Sequence, residues 1–202
     1  MKTKLLCLIF GLMCFLLPAN PLDGCVGRLL VVAVADSTDQ LIMGQMLSVL
    51  INERTGTAVE IVKLGDLKSC HEAVLGGKAN IYINYIGIGL ADTGGVGEAD
   101  SPQVAYTLVS QRYKDEFGMI WLKPFGFQGP SNLEANSKGR GATLAVPIAT
   151  KDVLRKFPVL DRLINKLGGR IDNSAMDELR KKSENEDTKE VVREFLEAEK
   201  LI

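Results

Sequence analysis

From Arg28 to Asp36 the chain reads RLLVVAVAD, a β-branched apolar run of the kind that forms a buried parallel strand. Ser37 follows, with Gln40 three residues later in capping-box spacing. The helix this starts carries Ile42, Met46, Val49 and Leu50 on one face, and Gly56 is placed to stop it. The pattern then repeats. Ala58 to Leu64 reads as a second strand, Asp66 to Leu75 as a short helix ended by Gly76 and Gly77, and Asn80 to Ile88 (NIYINYIGI) as a third strand. The stretch from Gly87 to Asp100, rich in glycine and small polar residues, reads as a loop.

Ser101-Pro102 supplies an N-cap with proline at the first helical position. The helix after it is expected to bury Val104, Ala105, Leu108 and Val109 and to end near Gly118. Met119 to Leu122 is a short strand. Gly126 to Gly141 has no apolar periodicity and reads as a loop. Ala142 to Ala149 is a further strand, and Pro147 near its end suggests an edge or a strand terminus, because proline cannot donate to a ladder. Thr150 caps a helix that Pro158 interrupts and Gly168-Gly169 stops. Two helices close the chain, Asn173 to Lys182 and Thr188 to Lys200, the last with Asp187 and Glu190 in capping-box spacing over an apolar stripe of Val191, Val192, Phe195 and Leu196.

Strands alternating with helices of this length predict an α/β fold, a mostly parallel sheet with helices on both faces. In such sheets ligands sit at the carboxyl ends of the strands, beside helix N-termini. Two segments fall there: Asp36 to Gln40 after the first strand, and Tyr85 to Gly89 after the third.

Composition narrows the function classes. Of 202 residues, 46% are hydrophobic and 24% charged, the balance of a chain with a sizeable core. The net charge is -1 and the basic residues are interspersed with acidic ones, so no nucleic-acid partner is implied. At the N-terminus, Lys2 and Lys4 precede an apolar run from Leu5 to Leu17, the length of a signal-peptide core. Residues 1–24 are therefore expected to be a signal peptide and 25–202 a single domain. Leu22-Asp23-Gly24-Cys25 resembles a lipobox, with Cys25 the lipidation candidate. Asp23 stands where that motif has a small uncharged residue, so a free cysteine after ordinary cleavage is the other reading. Cys25 and Cys70 are the cysteines outside the leader, and a pair between them is the alternative to lipidation. Neither spacing nor number suggests a metal site, and no cofactor is implied.

Several blocks, in order, resemble one family. VAVADSTDQLIMGQML is similar to the first strand and helix of glycine betaine/choline-type substrate-binding proteins of ABC importers, whose version runs close to G-S-K-x-F-T-E-Q. NIYINYIGIG resembles their D-I-Y-P-E-Y-T-G-T-G. EFGMIWLKPFGF matches a stretch typically followed by N-N-T-Y-A. FPVLDRLINKLGGRIDNSAMDELRKK and EVVREFLEAEKLI match their C-terminal helices. The resemblance implies one lobe of a type II periplasmic-binding-protein-like fold, with the second lobe reduced to a stretch at about 128–143.

That family clamps a trimethylammonium group in a box of aromatic rings, by cation–π attraction. Of the box, Tyr85 is retained. Tyr82 also matches, but strand alternation places it on the opposite face. The flanking threonines are replaced by Ile86 and Ile88, the lysine of G-S-K by Ala35, and the tyrosine of F-N-N-T-Y by the stretch from Gln128 to Ser131. The ligand-binding candidates are thus Tyr85, Asp36, Thr38, Gln40 and Gln128. Ser37, Thr38 and Gln40 suit a carboxylate at the helix N-terminus, or serve simply as caps, and Asp36 suits a cation.

The resemblance implies a solute-binding component of an importer, not an enzyme. It would be exported, and periplasmic or lipid-anchored to the outer face of a membrane. Its partners would be a small quaternary ammonium ligand and ABC permease subunits, and self-association would complete the aromatic box. The rival reading is a single lobe that binds no solute and docks on a permease or a full-length paralogue. His71, the one histidine, neighbours Cys70, but adjacent helix residues do not face each other, so no nucleophile–base pair is expected. The sign-alternating stretch from Arg180 to Glu190 reads as a solvated helix end.

Overall fold

A computed structural model describes residues 29–94, 101–129 and 143–202. The expected leader, Cys25 and most of the expected reduced lobe lie outside the described residues. The strands are β1 (Leu30–Val34), β2 (Val59–Lys63), β3 (Ile81–Tyr85), β4 (Met119–Trp121) and β5 (Ala145–Thr150). They form one sheet in the order β2-β1-β3-β5-β4. β1 pairs in parallel with β2 and β3, and β5 pairs antiparallel with β3 and β4. Four strands therefore run one way and β5 runs against them.

The helices are α1 (Thr38–Thr55), α2 (Leu67–Leu75), α3 (Ile86–Asp92), α4 (Pro102–Glu116), α5 (Lys151–Lys156), α6 (Val159–Ile164), α7 (Asn173–Ser183) and α8 (Thr188–Ala198). They cover both faces. Leu30, Val32 and Val34 of β1 join Ile81, Ile83 and Tyr85 of β3 in a core shared with α1 and α5 to α8. The intervening residues, Ala33 and Tyr82, join a second core under α2, α3 and α4. Period-two alternation along β1 and β3 thus feeds two separate apolar layers.

Local signals act where the sequence places them. Ser37 Oγ accepts from Gln40 N at 3.3 Å, and Gly56, at φ 68°, closes α1 in the left-handed conformation that favours glycine. Asp66, Ser101, Thr150 and Asp187 each cap their helix through the side chain. α1 exceeds its expected single apolar face. Ile42, Met43, Met46, Leu47, Val49, Leu50 and Ile51 are all buried, because the helix is wedged between the sheet and the C-terminal helices.

Three expectations are corrected. The third strand ends at Tyr85, and Ile86–Asp92 is a helix rather than strand end and loop. Its Ile86 and Leu90 are buried, and Gly89 admits close packing, since a Cβ there would lie 2.6 Å from the Trp121 ring and 2.8 Å from Val109. Val104 is 47% exposed, because α4 packs through Ala105, Val109 and Tyr113 instead. β5 is interior, not an edge. Ala145 and Pro147 direct their backbone groups away from β3: Ala145 O accepts from Phe125 N, Ala145 N donates to Phe127 O, and Pro147 O accepts from Leu122 N at 3.0 Å. The missing proline N–H therefore removes nothing from the β3 ladder.

Candidate functional site

The parallel pairing of β1 with β3 brings the two expected segments to one end of the sheet. There Gln40, on the first turn of α1, turns its amide inward. Its Nε2 lies 3.5 Å from Ile83 O and 3.5 Å from the Tyr85 hydroxyl. Both side chains are enclosed, Gln40 at 2% and Tyr85 at 4% exposure. Gln40 Oε1 is buried and has no hydrogen-bond partner among the described residues. Burial, with a smaller push from Asp39, moves the Tyr85 phenol up to about 12 against opposing pulls from Gln40 and Arg180.

Asp36 and Thr38 are placed differently. Both are exposed and, with Ser37, Leu41 and Lys63, line an open depression of about 250 Å³. Gln128 is half-buried, and its backbone N–H donates to Asn173 Oδ1 at 2.8 Å, docking the segment after β4 on α7. The five expected candidates thus divide into an inner pair, Gln40 and Tyr85, an outer pair, Asp36 and Thr38, and Gln128, which is held against α7.

Three further residues join this end of the sheet. Asp39 and Arg180 form a two-pronged ion pair, Nε to Oδ1 at 2.5 Å and Nη2 to Oδ2 at 3.0 Å. Arg180 also pairs with Asp177 one turn earlier on α7, and its guanidinium carbon lies 5.2 Å from the centroid of the Phe127 ring. Asp39 raises the Arg180 pKa further above the guanidinium's ordinary value, chiefly through their hydrogen bond. Arg180 is therefore no part of a solvated helix end: its side chain is only 34% exposed, and that of Asp39 only 16%. Sequence patterning missed all three residues, because Asp39 reads as a first-turn acid, Phe127 as loop and Arg180 as one charge among many. The Asp39–Arg180 pair spans 141 positions, beyond any local signal.

The opposite face carries a polar network. His71 Nδ1 lies 2.9 Å from the Tyr82 hydroxyl, Asn84 Nδ2 donates to Tyr113 Oη at 3.3 Å, and Tyr113 donates to Asp92 Oδ2 at 3.2 Å. His71 packs edge-on to Tyr82, Tyr113 and Phe117, and Trp121 is buried edge-on to Tyr113 in the same layer. Cys70 is fully buried, and burial moves its thiol up to about 11, an inert state rather than an activated one. Among the described residues, no group of three or more His, Cys, Asp or Glu side chains is arranged to hold a metal ion.

The end of the sheet thus offers an aromatic ring already in contact with a cation, a half-buried carboxylate, a buried amide acceptor without a partner and a guanidinium.

Comparison with known proteins places the chain. It matches the family described as the substrate-binding domain of ABC-type glycine betaine transport systems, over residues 28–138 and 130–198. A relative from Helicobacter pylori (strain G27), named ergothioneine transport permease/ergothioneine binding protein EgtU, is 26% identical over 120 residues, covering 59% of this chain and 21% of the relative. The chain thus spans about a fifth of that relative's length. Among solved structures, a glycine betaine/carnitine/choline ABC transporter protein superposes with a TM-score of 0.72 at 19% identity, covering 85% of this chain and 99% of that one. Apo YehZ from Escherichia coli gives 0.71 at 13%, covering 86% and 99%. At such identities the two structures establish the shared fold.

Proposed function

Because the chain belongs to the family of substrate-binding domains of ABC-type glycine betaine transport systems, we propose that it captures a small quaternary ammonium solute and presents it to the permease subunits of an importer. The observation carrying this reading is the convergence of Tyr85, Gln40, Asp39 and Phe127 at the carboxyl ends of β1 and β3, where open α/β sheets take their ligands. Glycine betaine, choline and carnitine fit the reading, and ergothioneine joins them through the named relative. The chain would be exported and act outside the cytoplasmic membrane, either free or held through a lipid on Cys25. Among the described residues no helix is long and apolar enough to cross a membrane.

Magnitudes argue that a second surface completes the site. A partly exposed cation–π contact is worth about 0.5–1 kcal/mol, whereas micromolar binding needs about 8 kcal/mol. The two family matches meet at residues 130–138, inside the stretch expected to hold the reduced lobe, so a second copy of the chain is the natural source of the missing wall. Titration calorimetry of the purified chain with the four solutes tests this. Saturable binding near micromolar supports capture, and a stoichiometry of one solute per two chains supports completion by a second copy. No heat from a folded sample refutes the capture reading.

A second reading is favoured by a different observation. Tyr85 and Gln40 are enclosed, and the Phe127 ring is already engaged by Arg180. A lobe in that condition suits docking on a permease or a full-length paralogue without solute. Affinity capture from membranes that recovers either partner, with silent titrations, supports it, and recovery of neither refutes it.

A further inference from the structure

Arg180 stands where a ligand cation would stand. Its guanidinium faces the Phe127 ring at 5.2 Å and takes both oxygens of Asp39, the contacts that a bound quaternary amine would want. It also pairs with Asp177 on its own helix, whose side chain is 70% exposed. The fork therefore has a second carboxylate to fall back on when it turns outward. A simple cation that displaced it from Asp39 and Phe127 would leave it with Asp177 alone, in water. A zwitterion would not, because its carboxylate replaces Asp39 as the partner of the guanidinium while its ammonium takes the ring.

We propose that Arg180 is a specificity-determining residue, which holds the cation position over Phe127 and yields it to a ligand's quaternary amine in exchange for the ligand's carboxylate. The ion pair Asp39–Arg180 is split by the ligand into two new pairs, and the site thereby discriminates between molecules with the same trimethylammonium head. The inference rests on the solute-capture reading above.

Glycine betaine and choline make the test, since they share the head and differ in carboxylate against hydroxymethyl. Both are titrated into the full chain and into Arg180→Gln and Asp39→Asn, each first checked for cooperative unfolding. A charge-assisted hydrogen bond is worth about 1.5–3 kcal/mol, so the full chain is expected to prefer glycine betaine by about ten- to a hundredfold. Arg180→Gln is expected to bring the two ligands to similar affinity, chiefly by weakening glycine betaine relative to choline. Asp39→Asn removes the partner of the ammonium, so it weakens both ligands and leaves the preference standing; it also serves should Arg180→Gln fail to fold. A preference that survives Arg180→Gln, one that vanishes in Asp39→Asn, or an unmodified chain that prefers choline overturns the role of Arg180 while leaving solute capture intact. Silence from both ligands in the folded, unmodified chain overturns the role and the capture reading together.

Discussion

Asp39 and Arg180, 141 positions apart, tie the first turn of α1 to the last turn of α7 through two parallel hydrogen bonds of 2.5 and 3.0 Å. The carboxylate side chain is 16% exposed and the guanidinium side chain 34%, so the pair lies between a screened surface bridge and a buried one. Arg180→Gln or Asp39→Asn alone is expected to lower the unfolding free energy by about 1–2 kcal/mol, less than the loss for a fully buried pair because water reaches the charge left behind and, in Asp39→Asn, Asp177 still pairs with Arg180. The double variant should lose less than the sum of the two, and raised salt should shrink the difference from the unmodified chain. Urea melts of the four proteins measure this. Strict additivity would show that the two charges do not cooperate.

Gly89 marks the closest approach of α3 to the aromatic layer. A Cβ at that position would lie 2.6 and 2.7 Å from Trp121 ring atoms and 2.8 Å from Val109, distances that real Cβ contacts do not show. Trp121 and Val109 are themselves buried and cannot withdraw into solvent. Gly89→Ala would gain up to about 1 kcal/mol in helix propensity. Overpacking of this kind costs about 1–3 kcal/mol, so the net expectation is a destabilised protein. A melting temperature equal to or above that of the unmodified chain would contradict the packing described for α3.

The sequence was informative where the signal is local and periodic. β1, β2, α1 and the C-terminal helices fall where apolar spacing and caps put them, since Ser37, Gly56, Asp66 and Asp187 act on residues within a turn of themselves. It was misleading at Ile86–Asp92, where two glycines and an alanine looked like loop but tertiary packing of Ile86 and Leu90 imposes a helix. It was misleading again at Pro147, because which side of a strand loses its donor depends on pairing that a single strand does not encode. At the site, Tyr85 was singled out by resemblance and Gln40 by its position at a helix N-terminus. Their enclosure, and the placement of Arg180 over Phe127, were not legible, because both depend on α7 folding back onto α1.

All four tyrosines sit in environments that resist ionisation. Burial is the leading cause at each, moving Tyr85 up to about 12 and the Tyr82, Tyr106 and Tyr113 phenols above their ordinary value of 10.0. In the unfolded chain they ionise near that ordinary value, so the folded form is favoured below pH 10 and loses stability as pH rises above it. Tyrosinate absorbance of the native protein should therefore stay near baseline through pH about 10 and rise together with loss of far-ultraviolet ellipticity. A stepwise rise beginning near pH 10 in a protein still folded would show that at least one ring is open to water.

His71 provides the matching test on the acid side. It is the one histidine of the chain, and burial lowers its pKa below 6.5, outweighing the pull of Asp92 and then Glu72 in the other direction. The neutral ring pairs with the Tyr82 hydroxyl at 2.9 Å and packs edge-on to three aromatic rings, surroundings that give a charged imidazole little solvation. With the folded value depressed, the unfolded chain binds the proton first. The stabilising contribution is present in full above about pH 6.5 and is lost progressively as pH falls below it toward the folded value. Denaturant unfolding at a series of pH values from about 7.5 to 5 should show this decline, ahead of the loss that carboxylates cause at lower pH. In His71→Gln the decline over that window should flatten, since no other group of the chain has an ordinary pKa there, apart from the terminal amine near its upper edge. An identical slope in both proteins would mean that His71 titrates alike in the folded and unfolded states, and that the Tyr82 contact does not depend on a neutral ring.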